Sequence, residues 1–258
     1  MKEQNPESER TCITRSALEL LDSRENLNVD SCWQSCLTKL DSLGVNSLFY
    51  GFVTSKLEIE RQGMTNACNF RTNHNPKWID ALGADNLIDI DLSAELIANE
   101  SADVLWHDQA FWDIATPAQL EQSMLEDELG MGVGVTVQLQ PFCSTPVMSG
   151  VGLCMLPISK KEFDSYWSLH RTEVLDLCHA LDFSMRSLHA TDFLCLSPRE
   201  LEFLTMLAGG YSQKQIAGKW KRSPHTLEKH SLSCRRKLKA GNLEQAVYKA
   251  FVLGLIRP

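Results

Sequence analysis

Between Ser223 and Ala240 the chain reads SPHTLEKHSLSCRRKLKA, and Lys229, Arg235, Arg236 and Lys237 within it are residue types whose shared chemistry is the binding of phosphate. Lys and Arg that neutralise phosphates release condensed counterions, and that release drives association with nucleic acid. From Leu196 onward the chain holds 12 Lys+Arg against 4 Asp+Glu, a surplus of +8, whereas the rest carries -16 within a total of -8. A solvated basic face explains a surplus but not its confinement to one end. The segregation points to a polyanion-binding segment attached to something else.

Four helix starts position those cations. SPRELEFLTMLAGG opens with Ser197 as N-cap, Pro198 in the first turn and Glu200 where a capping box requires it, and Gly209-Gly210 can stop the helix. SQKQIAGKW repeats the device with Ser212 and Gln215. SPHTLEKHSLSCRRKL is capped by Ser223, with Leu227, Cys234 and Leu238 on one face. NLEQAVYKAFVLGLI starts at Asn242 and places Leu243, Val247, Ala250 and Phe251 on one face. The second and third helices are separated only by KWKRS, the spacing of a helix-turn-helix, whose second helix enters the DNA major groove N-terminus first. His225, Thr226, Lys229 and His230 are then the candidates for contact, and Arg235, Arg236 and Lys237 lie further along for backbone phosphates. Ser212 and Gln213, at a helix N-terminus with free N–H donors, are candidate phosphate-positioning groups.

Glu200, Leu204, Gly210, Ile216, Ala217, Thr226, His230, Lys237 and Leu238 stand at the fixed spacing of a known motif, and through them the segment resembles the LuxR-type transcription regulators. One departure is Glu228, two residues after Thr226: it would repel phosphate unless it faces a base donor such as cytosine N4 or points away from DNA. KWKRS is also more polar than the turn usual in that family.

The acidic remainder should be the input to such a module. VDSCWQSCLTKLDSL reads as a helix, NSLFYGFVT as a strand, then a polar connection, helices at NHNPKWIDAL, SAELIA and PAQLEQSMLEDEL, and strands at GVGVTVQLQPF and MSGVGLCMLP. A long amphipathic helix follows over about 160–181, with Ser159 and Glu162 as its capping box. Helices flanking an antiparallel sheet make an α/β/α sandwich. The expected organisation is a ligand-sensing and dimerisation domain over 1–182, a linker over 183–195, and an all-α four-helix DNA-binding domain over 196–258. The amphipathic helix is expected to pair with a second subunit, which would set two basic modules on a dyad-symmetric double-stranded DNA site.

Trp78, Asp91 13 residues later, Trp106 28 later and Gly134 beyond resemble the autoinducer-binding pattern of the same family. The resemblance implies an acyl-homoserine lactone whose lactone carbonyl accepts from the Trp78 indole, whose amide N–H donates to Asp91, and whose ring packs on Trp106. It adds RNA polymerase to the partners. The family's Tyr four residues after the first Trp is Leu82 here, its Pro after the Asp is Leu92, and Asn75 stands where a pocket Tyr is common. Without the Tyr hydroxyl the ligand's amide carbonyl lacks a partner unless Asn75 supplies one. The rival ligand is a non-lactone molecule with a donor for Asp91, sensed by a solo receptor.

Other classes fit less well. With 43% hydrophobic residues the 258-residue chain can fill two cores, and it contains no apolar run that could span a bilayer. MKEQNPESER lacks the apolar run of a secretory signal, so a cytoplasmic location is expected. Nine irregularly spaced Cys read as reduced and mostly buried; Cys32 and Cys36, one turn apart, have no nearby His/Cys pair to complete a zinc site. GMGVGVTV lacks the third Gly spacing of a dinucleotide fingerprint, no catalytic motif is visible, and neither a cofactor nor a metal is expected. A phosphorylation-driven regulator shares the four-helix end but needs an acidic pair after an opening strand, absent from the first forty residues. A pure interaction protein that lost DNA binding has only Glu228 in its favour.

Overall fold

The computed structural model describes residues 15–22, 28–85, 87–99, 103–139, 146–155 and 158–257. Helix α1 (Arg15–Leu21) is followed by α2 (Val29–Ser42), which starts at Asn28 because its side chain accepts the Ser31 N–H while the Ser31 hydroxyl accepts from the Asn28 N–H. Then come β1 (Ser47–Val53), α3 (Lys56–Gln62), α4 (Met64–Ala67) and β2 (Asn69–Thr72). Next in the chain are α5 (Pro76–Asp85), α6 (Leu87–Ile90), α7 (Leu92–Asn99), β3 (Val104–Leu105), α8 (Gln109–Trp112), α9 (Pro117–Glu128), β4 (Gly134–Leu139) and β5 (Met148–Cys154). The five strands form one antiparallel sheet in the order β2-β1-β5-β4-β3.

The two faces of that sheet are chemically unlike, and the period-2 alternation of strands is the reason. One face presents Leu48, Tyr50, Phe52, Val135, Val137, Leu139, Val151 and Leu153, all in the main hydrophobic core with Trp33 and Leu40 of α2. The other carries Phe49, Gly51, Thr136, Gln138, Gly150 and Gly152, where register sets Gly51 opposite Gly150 and both Phe49 and Thr136 opposite Gly152. Glycine removes side-chain volume from this second face, and Ile97 of the covering helix α7 approaches where a Cβ on Gly150 would stand only 2.8 Å away. Helices on both faces complete the α/β/α sandwich expected from the sequence.

Helix α10 (Lys160–Phe183) begins in the anticipated capping box of Ser159 and Glu162. Its apolar side is consumed within this chain: Phe163, Trp167, Val174, Leu177, Cys178 and Leu181 are all core residues. Only the outer face of α10, where Leu169 is exposed, is left for the pairing expected of this helix. The helix continues through a π-helical turn, Ser184–Leu188, into α11 (Ala190–Phe193). Buried Asp182 holds this junction to the sheet by accepting from Tyr50 Oη at 2.9 Å and Arg186 Nε at 2.7 Å. The Phe193 ring sits 5.6 Å from that of Phe52 and 6.1 Å from that of Tyr50, so the stretch read as a linker is structured and packed.

The last four helices are α12 (Pro198–Ala208), α13 (Gln213–Trp220), α14 (Pro224–Lys237) and α15 (Leu243–Val252). Ser197, Ser212, Ser223 and Asn242 cap them as their types require. Phe203, Leu204, Ile216, Leu227, Cys234, Leu238, Ala246 and Ala250 join the buried core. On α15 one expectation is overturned: Phe251 is 58% exposed, whereas the Lys249 side chain is only 1% exposed. Helical periodicity assigns Lys249 to solvent in an isolated unit; here α3 of the first domain lies against that position and supplies Glu58 as counter-ion. Among the described residues no helix is long and apolar enough to cross a membrane.

Candidate ligand cavity and nucleic-acid interface

On the glycine-rich face of the sheet lies a cavity of about 300 Å³, at the small end of the range typical of ligand sites. Trp78 of α5, Asp91 before α7 and Trp106 after β3 all line it, so three residues separated by 28 positions do converge. Gly134 supports them from behind. A Cβ there would stand 2.5 Å from the Trp106 indole and 2.4 Å from the Leu153 carbonyl, so only glycine lets that ring lie against β4. Asn75 is not on the lining: its side chain accepts the Lys77 N–H at 3.0 Å and its carbonyl accepts the Trp78 N–H, so it caps α5 rather than replacing a pocket hydroxyl. Leu82 belongs to α5, but its side chain lies outside the described residues.

Several polar groups of the cavity are joined in a pattern that sequence did not reveal. The Trp78 indole N–H donates to Glu126 Oε1 of α9 at 3.1 Å, and Gln122 Nε2 donates to the same oxygen at 2.9 Å. The Trp106 indole donates to Thr136 Oγ1, which donates to Ser93 Oγ, which donates to Asp91 Oδ1 at 2.6 Å. Asp91 also accepts the Ala94 N–H, so it caps α7 and faces the cavity at once. Burial raises the Asp91 pKa, against the pull of its Ser93 and Ala94 hydrogen bonds. Burial and then the Asp91 charge push Glu126 up to about 7. Helix α9 buries Gln119 and Gln122 while exposing Leu120 and Met124. This inversion of the usual polarity marks the face of α9 that turns to the cavity; in the sequence Glu126 sits in an acidic run that reads as solvated surface.

The second candidate site is the N-terminal half of α14 and its surroundings. His225 and Lys229 are exposed, as is Gln213 at the start of α13. Ser212 accepts the Gln215 N–H in a capping box and stands at the same helix end. Thr226 is half-buried, its N–H held by the Ser223 hydroxyl at 3.2 Å. His230 is half-buried, with ring centroids 5.7 Å from Trp220 and 6.2 Å from Phe203, so it packs against the unit's aromatic residues. Lys237 is likewise internal: its ammonium lies 2.7 Å from Glu200 Oε2. Burial alone would raise the Glu200 pKa, but Lys237, Ser233 and Ser197 hydrogen-bond to its carboxylate and hold it down at about 2. Arg235 and Arg236 border a groove shared with Gln62 and Asn66 of the first domain. Glu228 is exposed beside His225, at 3.8 Å.

The two sites are joined through α3 and α4, which the sequence offered only as a polar connection. Ile59 and Met64 of these helices line the cavity. On their other side Glu58 Oε2 meets Lys249 Nζ at 2.7 Å, Arg61 donates to Gln245 at 2.9 Å, and Lys239 Nζ donates to the Thr65 carbonyl at 2.9 Å. Burial pulls the Lys249 pKa below the ordinary lysine range while Glu58 works against that. One short segment thus touches both the cavity and the four-helix unit.

Residues 194–250 match the family model described as bacterial regulatory proteins, luxR family. A solved structure of SdiA in complex with octanoyl-rac-glycerol is similar in fold, with a TM-score of 0.50 and 19% identity, covering 93% of this chain and 94% of that one. A second structure, of Escherichia coli SdiA, gives 0.49 and 18% over 94% of this chain and 98% of that one. CepR2 from Burkholderia cenocepacia, an N-acylhomoserine lactone dependent LuxR family factor, gives 0.48 and 17% over 65% and 92%. No curated protein sequence matches the chain significantly.

Proposed function

We propose, from the match of residues 194–250 to the luxR-family model, that the chain is a transcription regulator whose grip on DNA is set by a small amphiphile in the sheet cavity. The observation that carries this reading is the shared segment: α3 and α4 line the cavity on one side and hold Lys249, Lys239 and Gln245 on the other. A ligand that displaces Ile59 or Met64 shifts the anchor of the four-helix unit. Coupling of this kind needs only a differential affinity of the ligand for the two placements.

The working division is a sensing domain to about residue 182, a packed connection over 183–195 and a DNA-binding unit from 196, acting in the cytoplasm. The DNA-bound form is a homodimer on a dyad-symmetric duplex, with His225, Thr226 and Lys229 in the major groove and Ser212, Gln213, Arg235 and Arg236 toward phosphates. In the present placement Arg235 and Arg236 border the first domain, so duplex binding would separate them from Gln62 and Asn66. RNA polymerase is the partner such a regulator would act on.

An acyl-homoserine lactone, the signal of quorum sensing, is the ligand class implied by Trp78, Asp91 and Trp106. A specific observation favours a second class: the Trp78 N–H that would serve the lactone carbonyl is taken by Glu126. That a protein of similar fold is described with octanoyl glycerol supports a non-lactone amphiphile as a physical option for this scaffold. The test is the affinity of full-length chain for genomic DNA fragments, followed by fluorescence anisotropy with and without octanoyl lactone or octanoyl glycerol. A ligand-dependent change is expected. Lys229→Ala should reduce the slope of log affinity against log salt by about one unit without altering ligand binding. Affinity that is insensitive to salt and to every amphiphile would rule the reading out.

A further inference from the structure

The polar end of the cavity is one-sided in its chemistry. The three indole N–H groups on its lining, of Trp78, Trp106 and Trp112, are already spent on Glu126, Thr136 and the Trp106 carbonyl. Both donors that reach Glu126 arrive at Oε1, and among the described residues none reaches Oε2. Gln122 is only 6% exposed, yet its Oε1 has no hydrogen-bond partner; Ser149, 5% exposed, has an unpartnered hydroxyl. Both residues line the cavity. A buried acceptor left unpaired costs on the order of 1–3 kcal/mol, so this lining is complementary to something that brings donors.

The charges agree. Asp91 and Glu126 lie close enough for one to act on the other, and among the described residues neither has an ion pair with a Lys, Arg or His. Asp127 adds a third carboxylate to the lining. The basic groups there are Lys160, exposed at the start of α10, and His74, whose pKa burial drives down to about 4 and whose Nδ1 hydrogen-bonds the Ser47 hydroxyl. Neither neutralises the carboxylates from within. Around this acidic end the walls are apolar, with Ile59, Met64, Leu92, Ile97 and Met148 available to a tail.

Taking the proposed function as its basis, we propose that the cavity receives an amphiphile whose head is a protonated amine, seated between Glu126 and Asp91 with its N–H groups directed at Glu126 Oε2 and Gln122 Oε1. The amine replaces the missing counter-ion and satisfies the open acceptors. A lactone brings a carbonyl and a ring oxygen to the same place, and both are acceptors facing acceptors. A carboxylate or phosphate head is repelled outright.

The experiment uses calorimetry on the full-length chain at pH 8 with three probes sharing one tail: N-octanoylethylenediamine, N-octanoylethanolamine and N-octanoyl-homoserine lactone. The amine should bind at least about tenfold tighter than the other two, the scale of one charge-assisted hydrogen bond gained. Glu126→Gln, which keeps an oxygen for Trp78 and Gln122, should remove most of that preference by weakening the amine alone. The ligand series on the unaltered chain decides the matter even if the variant folds poorly. Lactone or ethanolamide binding as tightly as the amine overturns this inference and leaves the cavity reading standing. Failure of all three probes to bind overturns both.

Discussion

Glu200, buried, and Glu126, half-buried, are both carboxylates on helices, and the molecule treats them in opposite ways. Glu200 in the four-helix unit receives Lys237 at 2.7 Å and the Ser197 backbone N–H at 2.7 Å, and its pKa is held at about 2. Glu126 in the cavity receives two neutral donors on one oxygen, faces Asp91, and is pushed up to about 7. The first carboxylate is finished within its own unit; the second awaits a partner. A fold completes its structural charges internally and leaves open those at sites with work to do, which is why unpaired buried charge is a pointer to binding.

The largest effect tests whether the pairing logic extends across the domain junction. Lys249→Ala would strand Glu58 in a buried position, and removing one member of such a pair typically costs about 3–5 kcal/mol. Denaturant unfolding should show that loss, and hydrogen exchange should place the new mobility in α3 and α15. If Lys249→Ala behaves as a surface substitution, the junction is not a tight contact in solution.

Next in size, Gly134→Ala probes the architecture of the open site. The added methyl meets the Trp106 ring and a backbone carbonyl within about 2.5 Å, and overpacking of this kind costs about 1–3 kcal/mol. Trp106 fluorescence should change and ligand binding should fall, while the four-helix unit keeps its own protection.

The smallest effect is also the most direct comparison of the two carboxylates, because their pH dependences run in opposite directions. Glu200 has a depressed pKa in the fold, so its stabilisation is present above the unfolded value of about 4.5 and is lost as pH falls from there toward about 2. Glu126 has a raised pKa, so its contribution is present below about 4.5 and is lost as pH rises through about 7. Glu126→Gln should therefore stabilise the ligand-free chain at pH 8, by roughly 1–2 kcal/mol, and leave it unchanged near pH 4.5. Thermal unfolding across that window, for both proteins, shows whether the two profiles separate.

Legibility followed the range of the interactions. Helix starts at Ser197, Ser212, Ser223 and Asn242 were readable because a cap and its donor lie within three residues. The strands β1, β4 and β5 and the long helix α10 were readable from periodicity, whereas β2, the two-residue β3 and the short helices α3 and α4 were not. Trp78, Asp91 and Trp106 were found by resemblance. Glu126 was not, since nothing in LEDEL distinguishes an inward carboxylate from an outward one. His230 and Lys237 read as DNA contacts because cationic types on a helix default to solvent, and only the structure shows that they also pack against Trp220 and Glu200.

By itself, the sequence determined the segregation of charge, the caps and periods of the main helices, and the alternation that gives the sheet one apolar and one glycine-rich face. Those are local properties, written within a turn or a strand. Tertiary structure alone decided that Glu58 meets Lys249, that Glu126 takes the Trp78 N–H, and that one short segment touches both sites. Each of these joins residues tens to nearly two hundred positions apart, and only the packed arrangement of helices against the sheet brings such residues within hydrogen-bonding reach.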